Sequence, residues 1–417
     1  MSIVAAPEAL GYAEARERVL AATAPLAPES VALSRARGRA LRQEVRASHD
    51  LPPFRNSSMD GIAVRSADTG AASSAHALRL RVVGEIPAGA APTRALAAGE
   101  CVWIMTGAMM PGGADAVVPV EDLGNAAASD PEVRLVAPAT PGQNVRDAGA
   151  DVRTGERVLA AGRELSAHDL AVLASFGISA PFVGASPRVV ALSTGDELLG
   201  VDDPPREGAI RDSNLPMLSA LLEEAGATLV SASRLRDDVE SVARGMADGF
   251  AKADVVITLG GVSAGHHDPV KEALSRFPGI ARWLVAMKPG RPQAFGAPGG
   301  KLFFGLPGNP ASVACVFEVL VRPALRKLQG FGALERPRLT ARVAHRMESR
   351  AGRTDFVRVT LEHREGAWWA HEAGAQISGH VLPQSRAHAL LVIPEPLVRL
   401  EPGDSAEVML LRWPDPE

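Results

Sequence analysis

Between residues 187 and 330 the apolar runs "RVVALS", "ATLVSAS", "DVVITLGG" and "KLFFGLPG" alternate with the amphipathic stretches "SNLPMLSALLEEAG", "DDVESVARGMADGFAK" and "ASVACVFEVLVRPALRKL". Strands that alternate with helices imply a mostly parallel sheet covered on both faces, here a doubly wound α/β domain over residues 186–331. Upstream, Leu10, Ala13, Val19 and Leu20 fall loosely at helical spacing in Pro7–Thr23, and Val31–Arg46 adds a second stretch rich in Arg and Ala that also reads as helix. Ser166–Gly177 reads as a helix with a Ser cap and a Gly stop. From "LPPFRNSSMDG" onward the texture changes to short β-like runs, "LRLRVVGEI", "ECVWIMTG", "DAVVPVED" and "EVRLVAP", separated by Gly and Pro. The expectation is an α/β multidomain chain: a helical N-terminal domain from 1–48 and 150–185, a small β domain inserted at 49–149, the α/β domain, and a C-terminal β domain at 332–417 drawn from "RLTARVAH", "FVRVTLEH", "HALLVIP" and "SAEVMLLRW".

Composition narrows the class. The chain has 417 residues, 46% of them hydrophobic, enough for roughly two to four domains with their own cores. Its 44 basic and 48 acidic residues leave a net charge of −4, so nothing draws it electrostatically toward nucleic acid or an anionic membrane. Cys101 and Cys315 both sit in apolar runs and read as core residues, a sparse usage that fits a reducing cytosol. The N-terminus lacks a basic segment followed by an apolar one, and no stretch reaches about 18 apolar residues, so a cytoplasmic protein with no export signal or membrane anchor is expected.

In an open α/β sheet, ligands bind beyond the carboxyl ends of the strands. "STGDEL" (Ser193–Leu198), "GGVSAGHHD" (Gly260–Asp268), "KPGRP" (Lys288–Pro292) and "GLPGNPAS" (Gly305–Ser312) all fall at such ends. Gly260 and Gly261 let the backbone approach a ligand closely, with the small Ser263 behind them. Asp196, Glu197, Asp268, Lys288 and Arg291 together describe a polar cleft with carboxylates for a hard cation and bases for an anion. Glu197 and Asp268 suit Mg²⁺, whereas Asp196 stands equally well as a turn or cap. Lys288 and Arg291 flank Pro289–Gly290, and by themselves would pass for a solvated basic turn. After Gly308 and Asn309, Pro310 opens a helix whose free amides are expected to meet a phosphate. The segment is neither a P-loop nor a dinucleotide fingerprint. Adjacent His266 and His267 would point apart, which argues against a two-histidine metal site, and Met59, Met105, Met109 and Met110 read as packing. Neither cysteine has a nucleophile's setting, and sequence order argues no Ser-His-Asp arrangement.

Taken together and in order, "PPFRNSSMDGIAV", "IMTGAMMPGGADAVVPVED", "STGDEL", "GGVSAGHHD", "KPGRPQAFG" and "GLPGNPAS" resemble the molybdopterin molybdenumtransferases of molybdenum cofactor biosynthesis, the bacterial MoeA family, which is also similar to the C-terminal part of gephyrin. The resemblance runs from about Leu10 to the last strand. It implies insertion of molybdate into adenylylated molybdopterin, with Mg²⁺-dependent cleavage of the pyrophosphate linkage and release of AMP. It further implies a homodimer of four-domain subunits, the α/β domain of one facing the small β domain of the other, and transient contact with a molybdopterin adenylyltransferase.

Position by position, Glu197 and Asp268 resemble the acidic metal and substrate residues, and Asp237 or Asp238 a further acidic position. Lys288 and Arg291 match a basic turn that would hold molybdate or phosphate, and Pro307 and Pro310 the prolines of the cleft wall, with Asn309 between them. Asp60 and Thr106, in "MDG" and "MTG", match acidic and hydroxyl positions supplied across the dimer, and Asp151 an acid near a domain junction. Arg353 and Ser378 sit where the resemblance implies anion contacts. Three departures stand out: Ile62 in place of an aromatic beside Asp60, Leu284 in place of a second lysine, and His388 in place of an Asn-Gly turn that tolerates positive φ. Two other readings remain, an adenylyltransferase, whose single domain resembles Arg188–Gly330, and a non-catalytic scaffold. The choice between molybdate and tungstate stays open.

Overall fold

The structure, a computed structural model, describes residues 7–124, 126–261 and 269–414. The chain divides into two compact units, one made of Met1–Gln43, Ala161–Leu170 and Ser179–Glu417, the other of Glu44–Ala160 and Ala171–Ile178.

In the first unit the parallel strands Thr228–Leu235, Arg188–Thr194, Val255–Leu259 and Leu302–Leu306 lie side by side in that order, and the antiparallel Pro292–Gly296 and Ile280–Lys288 extend the sheet. Side chains alternate across a strand, so one sequence serves two layers. Val189, Ala191, Val255, Ile257 and Leu259 pack with Leu218 and Leu222 of helix Asn214–Glu224 and with Val313, Phe317 and Leu320 of the helix that starts at Pro310. Val190, Leu192, Val256 and Phe303 pack on the other face with Val242 and Met246 of helix Val239–Lys252 and with Val270 and Ala273 of Pro269–Leu274. The sheet is therefore covered twice, as the alternation of the sequence predicts.

The long C-terminal helix is not uniform. Pro310–Val316 passes through a π-helical turn, Phe317–Val321, before Arg322–Gln329, and Gly330 closes it at φ 82°. Pro323 has no amide to give to the carbonyl four residues back and its ring needs room there, which a wider turn supplies.

The helical N-terminal domain needs correction. Glu8–Gly11 is a strand parallel to Ile280–Lys288, with Leu10 opposite Val285, and the helix spans only Tyr12–Ala21. Val31–Arg46 holds no α-helix. It contains one 3₁₀ turn, Leu33–Arg35, after which the amides of Gly38, Leu41 and Arg42 bond to the carbonyls of Leu165, Arg163 and Phe182. Distant carbonyls outcompete the local i−4 partners, and Gly38 at φ 77° breaks the helical path. The helix expected at Ser166–Gly177 does form, as Ala167–Ser175: the Ser166 hydroxyl accepts the Asp169 amide at 3.2 Å while the Asp169 carboxylate accepts the Ser166 amide at 2.8 Å.

The C-terminal strands close on themselves. Thr354–Arg364, Ala367–Glu372, Arg338–Val343, Ser405–Leu410 and Ala389–Ile393 pair in sequence, and the last returns to the first. Val343, Val359, Leu361, Ala370, Leu391 and Val408 fill this ring. It is continuous with the α/β sheet, because Met287 pairs with Thr354 and Lys288 with Asp355. His388, which replaces an Asn-Gly turn in the resemblance, adopts no positive φ: its amide donates to Val359 O, and its ring Nδ1 accepts the Leu361 amide at 2.9 Å. Among the described residues no helix is long and apolar enough to cross a membrane.

The second unit carries a five-stranded sheet in the order Ala116–Pro119, Gly61–Val64, Glu100–Ile104, Leu78–Ile86 and Glu132–Leu135. Ile62, where an aromatic was expected, is fully buried against Trp103 and Val118 across the pairing. Gly61 is obligatory, since a Cβ there would lie 2.0 Å from Val118 O. Cys101 is a core residue whose thiol burial pushes up to about 12, and Cys315 is likewise buried. The methionine reading holds for Met110 but fails for Met105, which is 45% exposed.

Candidate functional site

Beyond the carboxyl ends of the parallel strands lies a cleft of about 1450 Å³, and every residue lining it belongs to the first unit. Strand Arg188–Thr194 delivers Gly195 and Glu197, Thr228–Leu235 delivers Asp237, Val255–Leu259 delivers Gly260 and Gly261, and Leu302–Leu306 delivers Pro307, Gly308, Asn309 and Pro310. Lys288 and Arg291 enter from the antiparallel pair, and Arg353 and Ser378 from the C-terminal strands. Ser263, His266, His267 and Asp268 lie outside the described residues.

One wall is acidic. Glu197 and Asp237 are both exposed in the cleft. Partial desolvation, then the charges of Asp196, Glu197 and Asp238, push the Asp237 carboxyl above the usual range. Asp238 itself turns away from this role: it caps helix Val239–Lys252, accepting the Ser241 amide at 2.8 Å and hydroxyl at 2.7 Å. Asp196 Oδ1 accepts the Asp237 amide at 3.3 Å, a bond that ties the loops after two neighbouring strands together. A carboxyl whose ionisation is opposed by burial and by acidic neighbours, as at Asp237, fits a place for a cation. Among the described residues no three His, Cys, Asp or Glu side chains converge on a metal position. Glu197 and Asp237 are the carboxylates this wall offers a cation, and Mg²⁺ is an ion that takes one or two carboxylates and completes its shell from ligand and water.

The opposite wall is basic. Lys288 and Arg291 are exposed, and neither side chain has a hydrogen bond or ion pair to a described residue. Between them Gly290 sits at φ 105°, its carbonyl held by Gln293 Nε2 at 2.6 Å. A Cβ on Gly290 would lie 2.4 Å from Val316 Cγ2. Gly290→Ala is accordingly expected to destabilise the fold by about 1–3 kcal/mol and to weaken anion binding, checked by denaturant unfolding alongside molybdate titration. Arg353 is anchored to buried Asp355, Nε to Oδ1 at 2.7 Å and Nη2 to Oδ2 at 3.0 Å, which leaves Nη1 without a described protein partner. Leu284, the position expected to lack a second lysine, lines the cleft as an apolar surface.

The amides at Pro310 are not available as expected. Ala311 donates to Ser378 O at 3.1 Å, and Ser312 and Val313 both donate to Asn309 O at 3.0 Å. Asn309 gives its Nδ2 to Ser378 Oγ at 3.0 Å, so the "GLPGNPAS" loop serves as a brace between the α/β and C-terminal strands. The Gly260 amide is taken as well, donating to Leu306 O at 3.0 Å, so the groups left open to an anion are chiefly side chains, beside a Gly260–Gly261 turn whose φ values are 87° and 71°.

Asp60 and Thr106 belong to the second unit, where they meet: Asp60 Oδ1 accepts the Thr106 amide at 2.6 Å and hydroxyl at 2.8 Å, and these two bonds lower the Asp60 pKa. Asp151, in the same unit, is exposed beside the Leu51–Val152 bridge, where its amide donates to Leu51 O at 2.9 Å, and it bonds to neither Asp60 nor Thr106. Asp212 and Asn214 also line the cleft of the first unit, and the sequence reading missed them. The only signal was an Asp shortly before a helix, which reads as a cap.

Three family descriptions cover the chain: the MoeA N-terminal region (domain I and II) matches residues 10–177, a probable molybdopterin binding domain 190–327, and the MoeA C-terminal region (domain IV) 340–411. Molybdopterin molybdenumtransferase 2 of Mycobacterium tuberculosis is 37% identical over 390 residues, 91% of this chain and 94% of that one. The molybdopterin molybdenumtransferase of a Nostoc species is 35% identical over 372 residues, 88% and 85% of the two chains. The crystal structure of a molybdopterin biosynthesis MoeA protein from Pyrococcus horikoshii superposes with a TM-score of 0.81 at 30% identity, over 97% of this chain and all of that one. An order of segments kept across nearly the whole length, and a shared fold beneath it, identify this chain as a member of the MoeA family of molybdopterin molybdenumtransferases.

Proposed function

We propose that the protein inserts molybdate into adenylylated molybdopterin and releases AMP. The observation that carries this reading is the pairing, in one cleft, of an acidic wall at Glu197 and Asp237 with a basic wall at Lys288 and Arg291 that has no protein counter-ion among the described residues. Three strands lie between Arg188–Thr194 and Ile280–Lys288, so at about 4.8 Å per strand the walls stand roughly 20 Å apart. An elongated substrate with a pyrophosphate in its middle spans such a gap, and a small dianion fits at one end of it.

Glu197 and Asp237, with Asp268, would hold Mg²⁺, which when bound offsets the negative charge of the departing phosphate. Lys288, Arg291 and Arg353 draw the oxyanion to the dithiolene end and fix its position, so that the two reactants meet within one site. Gly260, Gly261 and Pro307 let the backbone close on the pyrophosphate without side chains in the way. Ser378, bonded to Asn309, holds that wall in place. A homodimer in which Asp60, Thr106 and Asp151 of one subunit complete the cleft of the other, a cytoplasmic setting, and transient contact with a molybdopterin adenylyltransferase belong to the same proposal.

The test is AMP release from purified protein supplied with adenylylated molybdopterin and Mg²⁺, with molybdate, with tungstate and with neither. Release that requires an oxyanion and yields metal-loaded product is the expected result, and the more effective oxyanion names the physiological metal. Tight binding of the adenylate with no release under any condition would sink the enzymatic reading in favour of a scaffold.

A further inference from the structure

Helix Asn214–Glu224 begins on the cleft wall with two acceptors that no described residue uses. Asp212 is 6% exposed. Its Oδ1 caps the helix, accepting the amides of Asn214 at 3.0 Å and Leu215 at 3.1 Å, while its Oδ2 is buried and accepts no hydrogen bond from any described residue. Asn214 donates Nδ2 to Gly308 O at 2.7 Å, which fixes the orientation of its amide and leaves Oδ1 buried and equally without a donor. Capping alone requires one oxygen. Burying two further acceptors unpaired costs about 1–3 kcal/mol each, so the site is built for a partner that arrives from outside.

We propose that Asp212 Oδ2 and Asn214 Oδ1 form a subsite that accepts hydrogen bonds from N–H or O–H groups on the organic part of the substrate. Molybdate and the ionised pyrophosphate linkage carry only acceptors and are repelled here, so this subsite complements the basic wall: one reads the charge of the ligand, the other its donor groups. Within the function proposed above, on which this inference rests, two fragments carry such donors, the pterin with its amino and ring N–H groups and the adenylate with its ribose hydroxyls. A subsite that demands a donor also discriminates, because a ligand without one leaves the carboxylate buried and unpaired.

Asp212→Asn and Asp212→Ser both keep a capping oxygen and remove the free carboxylate oxygen. Binding of molybdopterin and of AMP to the full chain is measured by calorimetry for wild type and both variants, with thermal midpoints and Mg²⁺ affinity recorded. Affinity for one fragment should fall about 10- to 100-fold in both variants while the midpoint holds, with KM for the adenylate rising more than kcat falls. Loss confined to molybdopterin assigns the subsite to the pterin, and loss confined to AMP assigns it to the nucleoside. Variants that bind both fragments as wild type does, or that lose only Mg²⁺ affinity, overturn the inference. If wild type itself binds neither fragment, the proposed function fails instead, and the two failures are told apart.

Discussion

With Lys288 and Arg291 both replaced by alanine, kcat/KM for molybdate is expected to fall by about 10²- to 10³-fold, the size of loss expected when preorganised charge is removed from a binding centre. Both side chains are exposed and unpaired within the described protein, so nothing structural depends on their charge, and stability should stay within about 0.5 kcal/mol of wild type. The single variants should retain part of the activity, since one cation still faces the anion and Arg353, locked by Asp355, remains on the wall. The loss should appear mainly as a rise in the molybdate KM, and it should shrink in wild-type comparisons at high salt, which screens the exposed pair. Steady-state kinetics against molybdate concentration decides the matter: an unchanged KM in the double variant removes the basic turn from anion binding.

The second large effect concerns Asp237→Asn, for which AMP release is expected to drop by two orders of magnitude or more if the acidic wall holds the metal. Stability should move the other way. The Asp237 carboxyl is raised by desolvation and by the neighbouring carboxylates, so the folded state disfavours its charged form. Such a group favours folding most below its unfolded pKa, and that contribution is lost as pH rises through the folded value. At neutral pH the wild type therefore carries a penalty that asparagine lacks. Because Asp237 is exposed, the gain in thermal midpoint should be small and should fade below about pH 3, where the wild-type carboxyl is protonated in both states. A variant that is less stable at pH 7, or that turns over normally, contradicts the assignment of a strained, functional carboxylate.

The α/β sheet was legible because its information is local: Val255–Leu259 and Leu302–Leu306 are continuous apolar runs with glycines at their carboxyl ends, and buried parallel strands require that pattern. Val31–Arg46 misled because its amides are satisfied by Arg163, Leu165 and Phe182, more than a hundred residues away, and no window of sequence reports a distant acceptor. The same limit applied at the site. Glu197, Lys288, Arg291, Arg353 and Ser378 come together on one cleft from segments that motif order could place. Which of Asp196, Asp237 and Asp238 faces that cleft depended on which carboxylates were already bonded to backbone amides, a question only the folded chain answers. Asp212 escaped notice for the converse reason: one oxygen does ordinary structural duty and hides the other.

The sheet of the first unit closes into a ring at its C-terminal side, but at the opposite side it stops at Thr228–Leu235, a strand that among the described residues has a neighbour on one flank only. A free edge of this kind invites another chain to add to it and so begins unwanted association. Here Ser231, Ala232, Ser233 and Arg234 are exposed, and Arg234 is paired with Asp203, so the margin is short of large apolar side chains and carries charge. Replacing Ser231 and Ser233 by valine would leave the fold's own pairing intact while giving the edge the β-branched surface that extended chains add to, and the solubility of this large protein would then depend on its concentration.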